Sequence, residues 1–517
     1  MAEYPLDDKI DSAPDGNMNE NTKTIHRQKL VYSVCLCASY LTCGWNLAQI
    51  GSALLDLKQI TSVSLEAASL YQTFFNVGYF AGSLLCGIMY KRINKFLFQF
   101  ISLLVVAIAL VIIPWCHVHA AMVTAHFFVG LSGGIIDSVV NAEMLAVWGE
   151  KGLSYVQAMH FGYAFGGIIS PVITAQFLAP TLDHHRDVIF STTNYNASYI
   201  NITNILGNHN LIGNLTSQSA LYVNNTVYST NQSIFREIST SLNSTRNSPT
   251  VFAPFYITSQ VYIAYSISAC LCTLIGLPYL VMYFTFDLTK IRSGRVPKEE
   301  NSTPNITRIP KILVLINFGL MAGIYVAIEE SFSGFLNAFC VNRLDWSSVD
   351  GSYATSVFYG CFGFGRLVAV LWVKYLNPKK FLSVFCVLLL LMFASILICG
   401  VYYFDIGMWL TAAATGLSIA VIYPTVFTWT EEDFLPVSGK ISSFFNITSA
   451  LGGTINPIVI GTLMDVYSPL WYAYLLMGES ALLLMTCMCG MALSRKLRPQ
   501  KRQGRQFEPA DQENRFI

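Results

Sequence analysis

The chain has 517 residues, of which 53% are hydrophobic and only 12% charged, and its mean hydropathy is +0.49. This composition excludes an ordinary water-soluble globular protein and indicates a polytopic membrane protein. The 31 basic and 30 acidic residues nearly balance, so net charge identifies no partner and only the placement of the charges is informative.

Twelve apolar runs are long enough to cross a bilayer, since a helical span needs about 20 apolar residues. The sequence therefore predicts an all-α membrane fold with twelve transmembrane helices. The runs lie near 31–55, 67–90, 96–116, 120–148, 154–180, 256–286, 311–337, 351–374, 380–403, 408–429, 439–464 and 470–493.

The placement of Lys and Arg predicts the orientation of these spans. If the N-terminus is cytoplasmic, 25 of the 31 basic residues fall on the cytoplasmic side. The positive-inside rule then places both tails, 1–30 and 494–517, in the cytoplasm, and we expect a multi-pass plasma-membrane protein. Because residues 1–29 have no apolar core, we expect the first span to act as the insertion signal.

An internal repeat relates the two parts of the chain. GLSGGII at 130–136 matches GLSIAVI at 416–422, and AFGGIISPVI at 164–173 matches ALGGTINPIV at 450–459, both displaced by 286 residues. An even number of spans separates the copies, so the repeat predicts two six-helix halves in the same orientation, which is typical of the major facilitator architecture. The predicted halves are 31–286 and 311–493, joined by a basic cytoplasmic linker at 287–310.

A long polar loop at 181–255 falls on the exterior by the charge rule. Its composition is too polar to bury a core of its own. Six N-x-S/T sequons predict that it is glycosylated and extracellular. They are Asn196, Asn201, Asn214, Asn224, Asn231 and Asn243.

Span four contains an acid near its centre. A charge there costs about 2.5–3.5 kcal/mol, so Asp137 is expected to face a bundle interior or a water-filled cavity. Asn141 lies about 40° from it around the helix. Glu143 points away from that face, and we expect it to be a helix-end or interhelix hydrogen-bond partner.

Span seven contains two adjacent acids, Glu329 and Glu330. Their side chains point about 100° apart, so at most one can look straight into a central cavity and the other is expected to contact a neighbouring helix. Arg366 is the only guanidinium within a predicted span and is a natural counter-charge for one of them. Ion pairing and substrate contact both remain open for Arg366.

Amides and aromatic residues gather in other spans in the mixture that carbohydrate binding requires. Sugar hydroxyls pair with amides and carboxylates, while the C–H faces of sugars pack on aromatic rings. For each of these residues taken singly, the alternative to sugar binding is a polar contact between helices. The candidate cation-coupling residues are Asp137 and Glu329, and the candidate substrate-binding residues are Gln49, Asn46, Gln72, Asn76, Asn141, His160, Glu330, Arg366 and Tyr423.

The sequence lacks the motifs of several function classes. The sequence has no Walker-type loop, no nucleophile elbow and no H-E-x-x-H, so we expect no enzyme. Its cysteines lie almost entirely in apolar runs without metal-ligand spacing, so we expect no bound metal and no cofactor beyond a transported sodium ion or proton. The expected partners are a small sugar and membrane lipid, with no nucleic acid, and the chain is expected to be monomeric.

Several motifs resemble those of the fucose–proton symporter branch of the major facilitator superfamily. GLSGGIIDSVVNAEM at 130–144, YVAIE at 325–329, IYPTVF at 422–427 and GGTINPIVIGTLMD at 452–465 carry the resemblance. HFGYAFGGIISP and YVAIE are most similar to the animal sodium-dependent glucose transporter type 1 group. The resemblance implies cation-coupled uptake of glucose or a related hexose by alternating access, with sodium favoured over the proton.

The sequence also departs from that pattern. The superfamily loop G-x-x-x-D-R-x-G-R-R is reduced to GIMYKRINK at 87–95, with Lys91 in place of the aspartate. Gly51 stands near the position of a second acid in the fucose symporters. The alternatives are therefore a facilitative carrier of another small polar solute and a nutrient sensor that does not transport.

Overall fold

The computed structural model describes residues 20–149, 152–179, 259–292, 308–372, 377–434 and 439–506. The six predicted glycosylation sites, part of the linker and the ends of both tails lie outside these ranges. The described helices form one compact unit.

Twelve long helices account for this unit, and the predicted all-α fold is confirmed. A single 3₁₀ turn follows the third helix at Ile113–Trp115, where Pro114 interrupts the α-helical ladder, and a one-turn helix, Leu288–Ile291, follows the sixth. The long helices are α1 Glu20–Thr61, α2 Leu65–Met89, α3 Lys95–Ile112, α4 His119–Trp148, α5 Gly152–Ala175, α6 Val261–Thr285, α7 Arg308–Leu344, α8 Ser348–Trp372, α9 Pro378–Tyr402, α10 Asp405–Asp433, α11 Gly439–Val466 and α12 Trp471–Gln506.

Ten of these helices are long and apolar enough to cross a membrane by length and composition alone, within the described ranges. The other two, α2 and α8, have 25 residues each, the same length as α6 and α9 among the ten. Their polar residues include Gln72 and Asn76 in α2 and Arg366 in α8. These two helices lie between other helices of the bundle, so their polar side chains contact protein.

Glycines of the repeat lie where helices pack closely in pairs within each half. Gly130 of α4 lies against the backbone carbonyl of Phe75 in α2, and a side chain there would collide with that carbonyl. The equivalent Gly416 of α10 lies in the same way against Phe358 in α8. Small residues let backbones approach closely in a membrane bundle, so the pairs α2–α4 and α8–α10 are copies of one packing arrangement.

A second pair of glycines repeats this relation. Gly166 of α5 lies against the carbonyl of Leu41 in α1, and Gly452 of α11 lies against the carbonyl of Gly323 in α7. Since both pairs of glycines are 286 residues apart, the sequence repeat corresponds to a structural repeat of helix pairs.

The bundle has two ends, which we call the tail side, where α1 begins and α12 ends, and the far side, where α1 turns into α2 and α7 into α8. Helices of the two halves meet on the far side. Asn337 Nδ2 of α7 donates to the Ser52 carbonyl of α1 at 2.8 Å. The Leu65 amide of α2 donates to Asp465 Oδ1 of α11 at 3.3 Å.

Helices α5 and α8 make a further far-side contact. Ser352 and Ser356 of α8 donate to the carbonyls of Pro171 and Ile168 in α5, each at 2.9 Å. Gln176 Nε2 of α5 donates to the Tyr353 hydroxyl at 2.6 Å. We call the α1–α7, α2–α11 and α5–α8 contacts the far-side gate, and this gate is closed in the structure.

The far end of α1 also holds the neighbouring ends of α5 and α6. The buried carboxylate of Asp56 accepts hydrogen bonds from the Ala179 amide at 2.9 Å and from the Ser259 hydroxyl. The Gln260 amide donates to the Phe177 carbonyl at 3.0 Å. The chain therefore leaves the bundle at 179 and re-enters it at 259 from one fixed place.

Candidate functional site

Asp137 lies half-buried between helices of the N-terminal half. Asn141, one turn further along α4, donates from Nδ2 to Asp137 Oδ1 at 2.8 Å. The hydroxyls of Tyr40 in α1 and Tyr79 in α2 lie beside the same carboxyl group. Gly134 lets α2 come this close, since any side chain there would collide with the Tyr79 carbonyl. These neighbours offer hydrogen bonds but no positive charge.

The C-terminal half supplies the opposite wall. Tyr325 of α7 stacks on Tyr423 of α10, with ring centroids 5.1 Å apart. Asp137, Glu329 and Arg366 are all electrostatic neighbours of the Tyr423 hydroxyl. Acids of both halves therefore face one central cluster, which we call the central site.

Arg366 provides positive charge in the central site. Its guanidinium lies 4.3 Å from the centre of the Phe362 ring and is the neighbour of Glu329 and of the Tyr325 hydroxyl. Its Nε atom is buried and has no hydrogen-bond partner within the described residues. A guanidinium with a spare donor can bind an oxygen of a polar ligand. Both roles expected for Arg366 from the sequence, counter-charge and substrate contact, therefore have a geometric basis.

His160 enters the central site from α5. Its ring meets the Tyr40 ring edge to face, with centroids 5.1 Å apart, and it is a neighbour of Arg366. His160 Nδ1 is buried and has no hydrogen-bond partner within the part of the chain that the structure describes. This nitrogen is available to a ligand in the central site.

Glu330 lies apart from Glu329, at the contact of α7 with α2 and α11. Asn76 Nδ2 lies 2.5 Å from Glu330 Oε2 and 2.5 Å from the Gly453 carbonyl oxygen. Gln72 Nε2 donates to the Glu330 backbone carbonyl at 2.9 Å. These polar groups join the two halves at the inner end of the far-side gate.

Two candidate substrate residues of α1 lie away from the central site. Gln49 Oε1 accepts a hydrogen bond from Ser268 Oγ of α6 at 2.8 Å, and Asn46 lies beside Cys272 of the same helix. Gln49 lies about 180° from Tyr40 around α1. Both amides therefore contact α6, on the side of α1 opposite the central site.

Sequence reasoning missed several residues that the structure places at the central site or in another buried polar contact. Tyr40, Tyr79 and Tyr325 border the central site, although a tyrosine in an apolar run carries no signal by itself. Glu479 of α12 accepts from Asn456 Nδ2 at 3.2 Å inside the C-terminal half. Its signal was present, since Glu479 is a lone acid in an apolar run.

The described residues contain no group of three or more His, Cys, Asp and Glu side chains that could hold a metal ion. The central site instead offers tyrosine rings and hydroxyls, a carboxyl group, an amide and a guanidinium. This set of groups can bind a small, neutral, hydroxyl-rich molecule and a monovalent cation by non-covalent contacts.

Two six-helix halves around a polar, two-sided central site give the all-α major facilitator fold of a multi-pass membrane protein. The resemblance inferred from the motifs is confirmed. The family model described as Major Facilitator Superfamily matches residues 251–457, and the fold resembles that of the solved nucleoside transporter NupG, with a TM-score of 0.57 at 13% identity over 90% of this chain and 98% of that one.

Two curated relatives are similar to this chain over most of its length. The sodium-dependent glucose transporter 1A of Mus musculus is 24% identical over 84% of this chain and 89% of its own length. The sodium-dependent glucose transporter 1 of Homo sapiens is 24% identical over 84% of this chain and 74% of its own length. The solved transporter FucP, in the outward conformation, matches with a TM-score of 0.50 at 16% identity over 89% of this chain and 99% of that one.

Proposed function

We propose that the protein is a symporter that couples uptake of glucose or a related hexose to a cation, sodium rather than the proton, by alternating access. The names of its curated relatives support the substrate class and the coupling ion. The six-plus-six helical fold supports the mechanism, because parallel halves can rock about a fixed central site.

One observation carries this proposal: among the described residues, the Asp137 carboxyl group in the central site has no positively charged partner as a neighbour. An acid inside a membrane bundle is costly unless it is paired, protonated or bound to a cation. Since Tyr423 of the other half faces it, opening either side of the protein changes the surroundings of this acid. Asp137 is therefore placed to bind or exchange the coupling ion.

The tyrosines that border Asp137 suit a sugar. A ring can pack on the C–H face of a hexose while its hydroxyl bonds a sugar oxygen. Tyr40 and Tyr79 offer such groups from one half, and Tyr325 and Tyr423 offer them from the other. A hexose held by both sets would favour the state in which the halves close around it.

The positive-inside rule makes the far side extracellular and the tail side cytoplasmic. With the far-side gate closed, the structure corresponds to the state after uptake from outside. The opposite state requires the halves to part along α1–α7, α2–α11 and α5–α8. Hydrogen bonds such as Asn337 to Ser52 break in that transition.

The energy available is sufficient for accumulation. One charge that moves through 100 mV releases about 2.3 kcal/mol. A tenfold concentration ratio requires about 1.4 kcal/mol. A single coupled cation therefore sustains a hexose gradient of more than tenfold.

The test is Asp137→Asn in sealed proteoliposomes with labelled glucose inside or outside. We expect the native chain to accumulate glucose with an inward sodium gradient. Asp137→Asn should equilibrate glucose without accumulating it, because the amide has nearly the shape of the acid but no charge for the cation.

Asp350→Asn is the matched control, since this acid lies at the exposed start of α8, where it accepts from Ser347 Oγ at 2.6 Å. It should accumulate glucose as the native chain does. Normal accumulation by Asp137→Asn would refute the coupling role, and uptake that is unchanged with choline in place of sodium would refute sodium coupling. Binding of glucose without any turnover would identify a sensor instead.

A further inference from the structure

Pro457 frees a backbone carbonyl at the contact between the two halves. Proline has no N–H, so within α11 the carbonyl four residues earlier, that of Gly453, loses its helical hydrogen bond. In a membrane bundle such a carbonyl has to be satisfied by a neighbouring helix or by a ligand. Here it accepts from Asn76 Nδ2 at 2.5 Å.

The carboxyl group of Glu330 shares this donor and, within the described ranges, has no basic side chain as an electrostatic neighbour. Its electrostatic partners are Glu329, which is also acidic, and the Asn76 amide. Arg366 instead neighbours Glu329. Of the two adjacent acids in α7, Glu330 is therefore the one whose charge is not compensated.

Three features of this place match the needs of a sodium ion. Sodium is a hard cation and takes oxygen ligands, and unwound or interrupted helices commonly provide carbonyls for it in transporters. Glu330 Oε2 and the Gly453 carbonyl oxygen both lie 2.5 Å from one point, the Asn76 nitrogen. Both oxygens belong to the C-terminal half, so they stay side by side when α2 moves away.

Gly453 keeps room for such an ion. A side-chain carbon at this position would lie 2.5 Å from Glu330 Oε2 and 3.1 Å from Asn76 Nδ2. In the other half the equivalent Gly167 faces the ring of Tyr359, not a carboxyl group. The repeat therefore provides this arrangement once, in the C-terminal half.

We infer that the Glu330 carboxyl group and the Gly453 carbonyl form a sodium-ion site. The site is open when the far-side gate is open, and the Asn76 amide occupies it when the gate closes. Asn76 belongs to the N-terminal half and both oxygens belong to the C-terminal half. When the halves part on the far side, the two oxygens lose their donor and a sodium ion binds them. Closure brings the Asn76 N–H groups back and displaces the ion towards the central site.

This inference rests on the proposed symport only in giving the bound sodium ion a role in transport. Binding of the ion itself requires no sugar. It reassigns Glu330 from the substrate set to cation binding and leaves Asp137 at the central site. Because a ligand favours the state that binds it better, sodium should favour the far-side-open state.

The test is equilibrium binding of radioactive sodium to the purified full-length chain without sugar. The native chain should bind sodium saturably, and Glu330→Gln should weaken its affinity by about tenfold or more. Asp350→Asn is the control and should bind sodium within about threefold of native, because this exposed acid at the start of α8 lies outside the contact of α7 with α2 and α11.

Two further variants keep every acid in place. Gly453→Ala should weaken sodium binding, because its methyl group takes the room of the ion. Asn76→Ala should bind sodium several-fold more tightly, because the competing amide is gone. If the two variants shift the sodium affinity in these opposite directions, the sodium site is supported even when Glu330→Gln does not fold.

No saturable sodium binding by the native chain, or native affinity in both Glu330→Gln and Gly453→Ala, would overturn the inference. Uptake driven by a pH gradient with no bound sodium would overturn it in favour of a proton. Sodium binding that depends on Glu330 in a protein that takes up no hexose would instead refute the proposed substrate and leave the site intact.

Discussion

Glu143 illustrates what a buried acid requires when it supports the fold. Its side chain is fully buried, forms an ion pair with Arg292 after the sixth helix and accepts a hydrogen bond from the Tyr90 hydroxyl at 2.6 Å. Asp137 and Glu330 have no such cation among the described residues, and this difference separates the acids for which we propose a function from the structural one.

The Glu143–Arg292 pair predicts an asymmetric response to mutation. Arg292→Ala should lower the free energy of unfolding by about 3–5 kcal/mol, because it leaves a fully buried carboxylate without a counter-charge. Glu143→Gln should cost only about 1–2 kcal/mol, because the amide can still accept from Tyr90 while the partly exposed Arg292 is hydrated. Thermal unfolding of the purified variants in detergent measures the difference, and equal losses would contradict the argument.

At this scale the sequence gives the chemical type of a residue but not its partner. It shows that Glu329 and Glu330 point to different sides of a helix, yet only the packing of α7 against α8 shows which acid Arg366 neighbours. It also singles out Asn46 and Gln49 as amides in a span. Both sides of α1 are in contact with protein, so the periodicity of a single helix cannot tell the central site from the contact with α6.

Among the helices, α5 and α11 carry equivalent prolines at the far-side gate. The carbonyls of Ile168 and Pro171 accept from serines of α8, and the carbonyl of Gly453 accepts from Asn76 of α2. A proline-containing helix of each half therefore offers backbone carbonyls to a helix of the other half. Such contacts can form and break without disturbing a regular helix, which suits a gate.

The α2–α11 contact predicts that the gate can be locked. Ser69 of α2 and Gly461 of α11 lie in direct contact, so a small parting of the helices gives the Cβ spacing of a disulfide. We expect oxidation of the variant Ser69→Cys with Gly461→Cys to abolish glucose uptake and dithiothreitol to restore it. Uptake is measured before oxidation, after oxidation and after reduction.

Each single variant and the native chain, treated in the same way, control for the native cysteines, all of which are free in the structure. Full uptake by a chain shown by mass to be cross-linked would mean that the α2–α11 contact does not open during transport.

Helix boundaries show a limit of sequence reasoning at this scale. The first predicted span, 31–55, corresponds to Glu20–Thr61, and the last, 470–493, corresponds to Trp471–Gln506. Hydropathy detects the part of a helix that lies in lipid, whereas the polar turns beyond it continue as helix through their own hydrogen bonds. The existence and order of all twelve helices were predictable for the same reason.

For the molecule as a whole, the repeat in the sequence predicts the architecture of each half. Gly130 and Gly416 pack equivalent helix pairs, as do Gly166 and Gly452, so the common displacement of 286 residues has a direct geometric cause. The contact between halves has no such signal. In the proposed alternating-access cycle this contact depends on the state of the protein, because different groups would meet with the far-side gate closed and with it open.

Charge placement and sequons together predict the orientation of the protein. In intact cells we expect tags on both ends to be inaccessible to antibody until the membrane is permeabilised, because the basic tails stay in the cytoplasm. Removal of N-linked glycans should reduce the apparent mass, and replacement of the six loop asparagines by glutamine should abolish that reduction. A tag that is accessible on unbroken cells would reverse the orientation and the direction assigned to the gate.

Asp56 has a consequence for the length of the segment that follows α5. Because one carboxylate at the end of α1 holds both the Ala179 amide and the Ser259 hydroxyl, the bundle itself fixes the distance between the two points where the chain leaves and returns. A flexible insert between fixed points costs only about 0.6 kcal/mol for each doubling of its length. By this rule a longer segment between residues 179 and 259 costs the fold of the twelve helices little free energy.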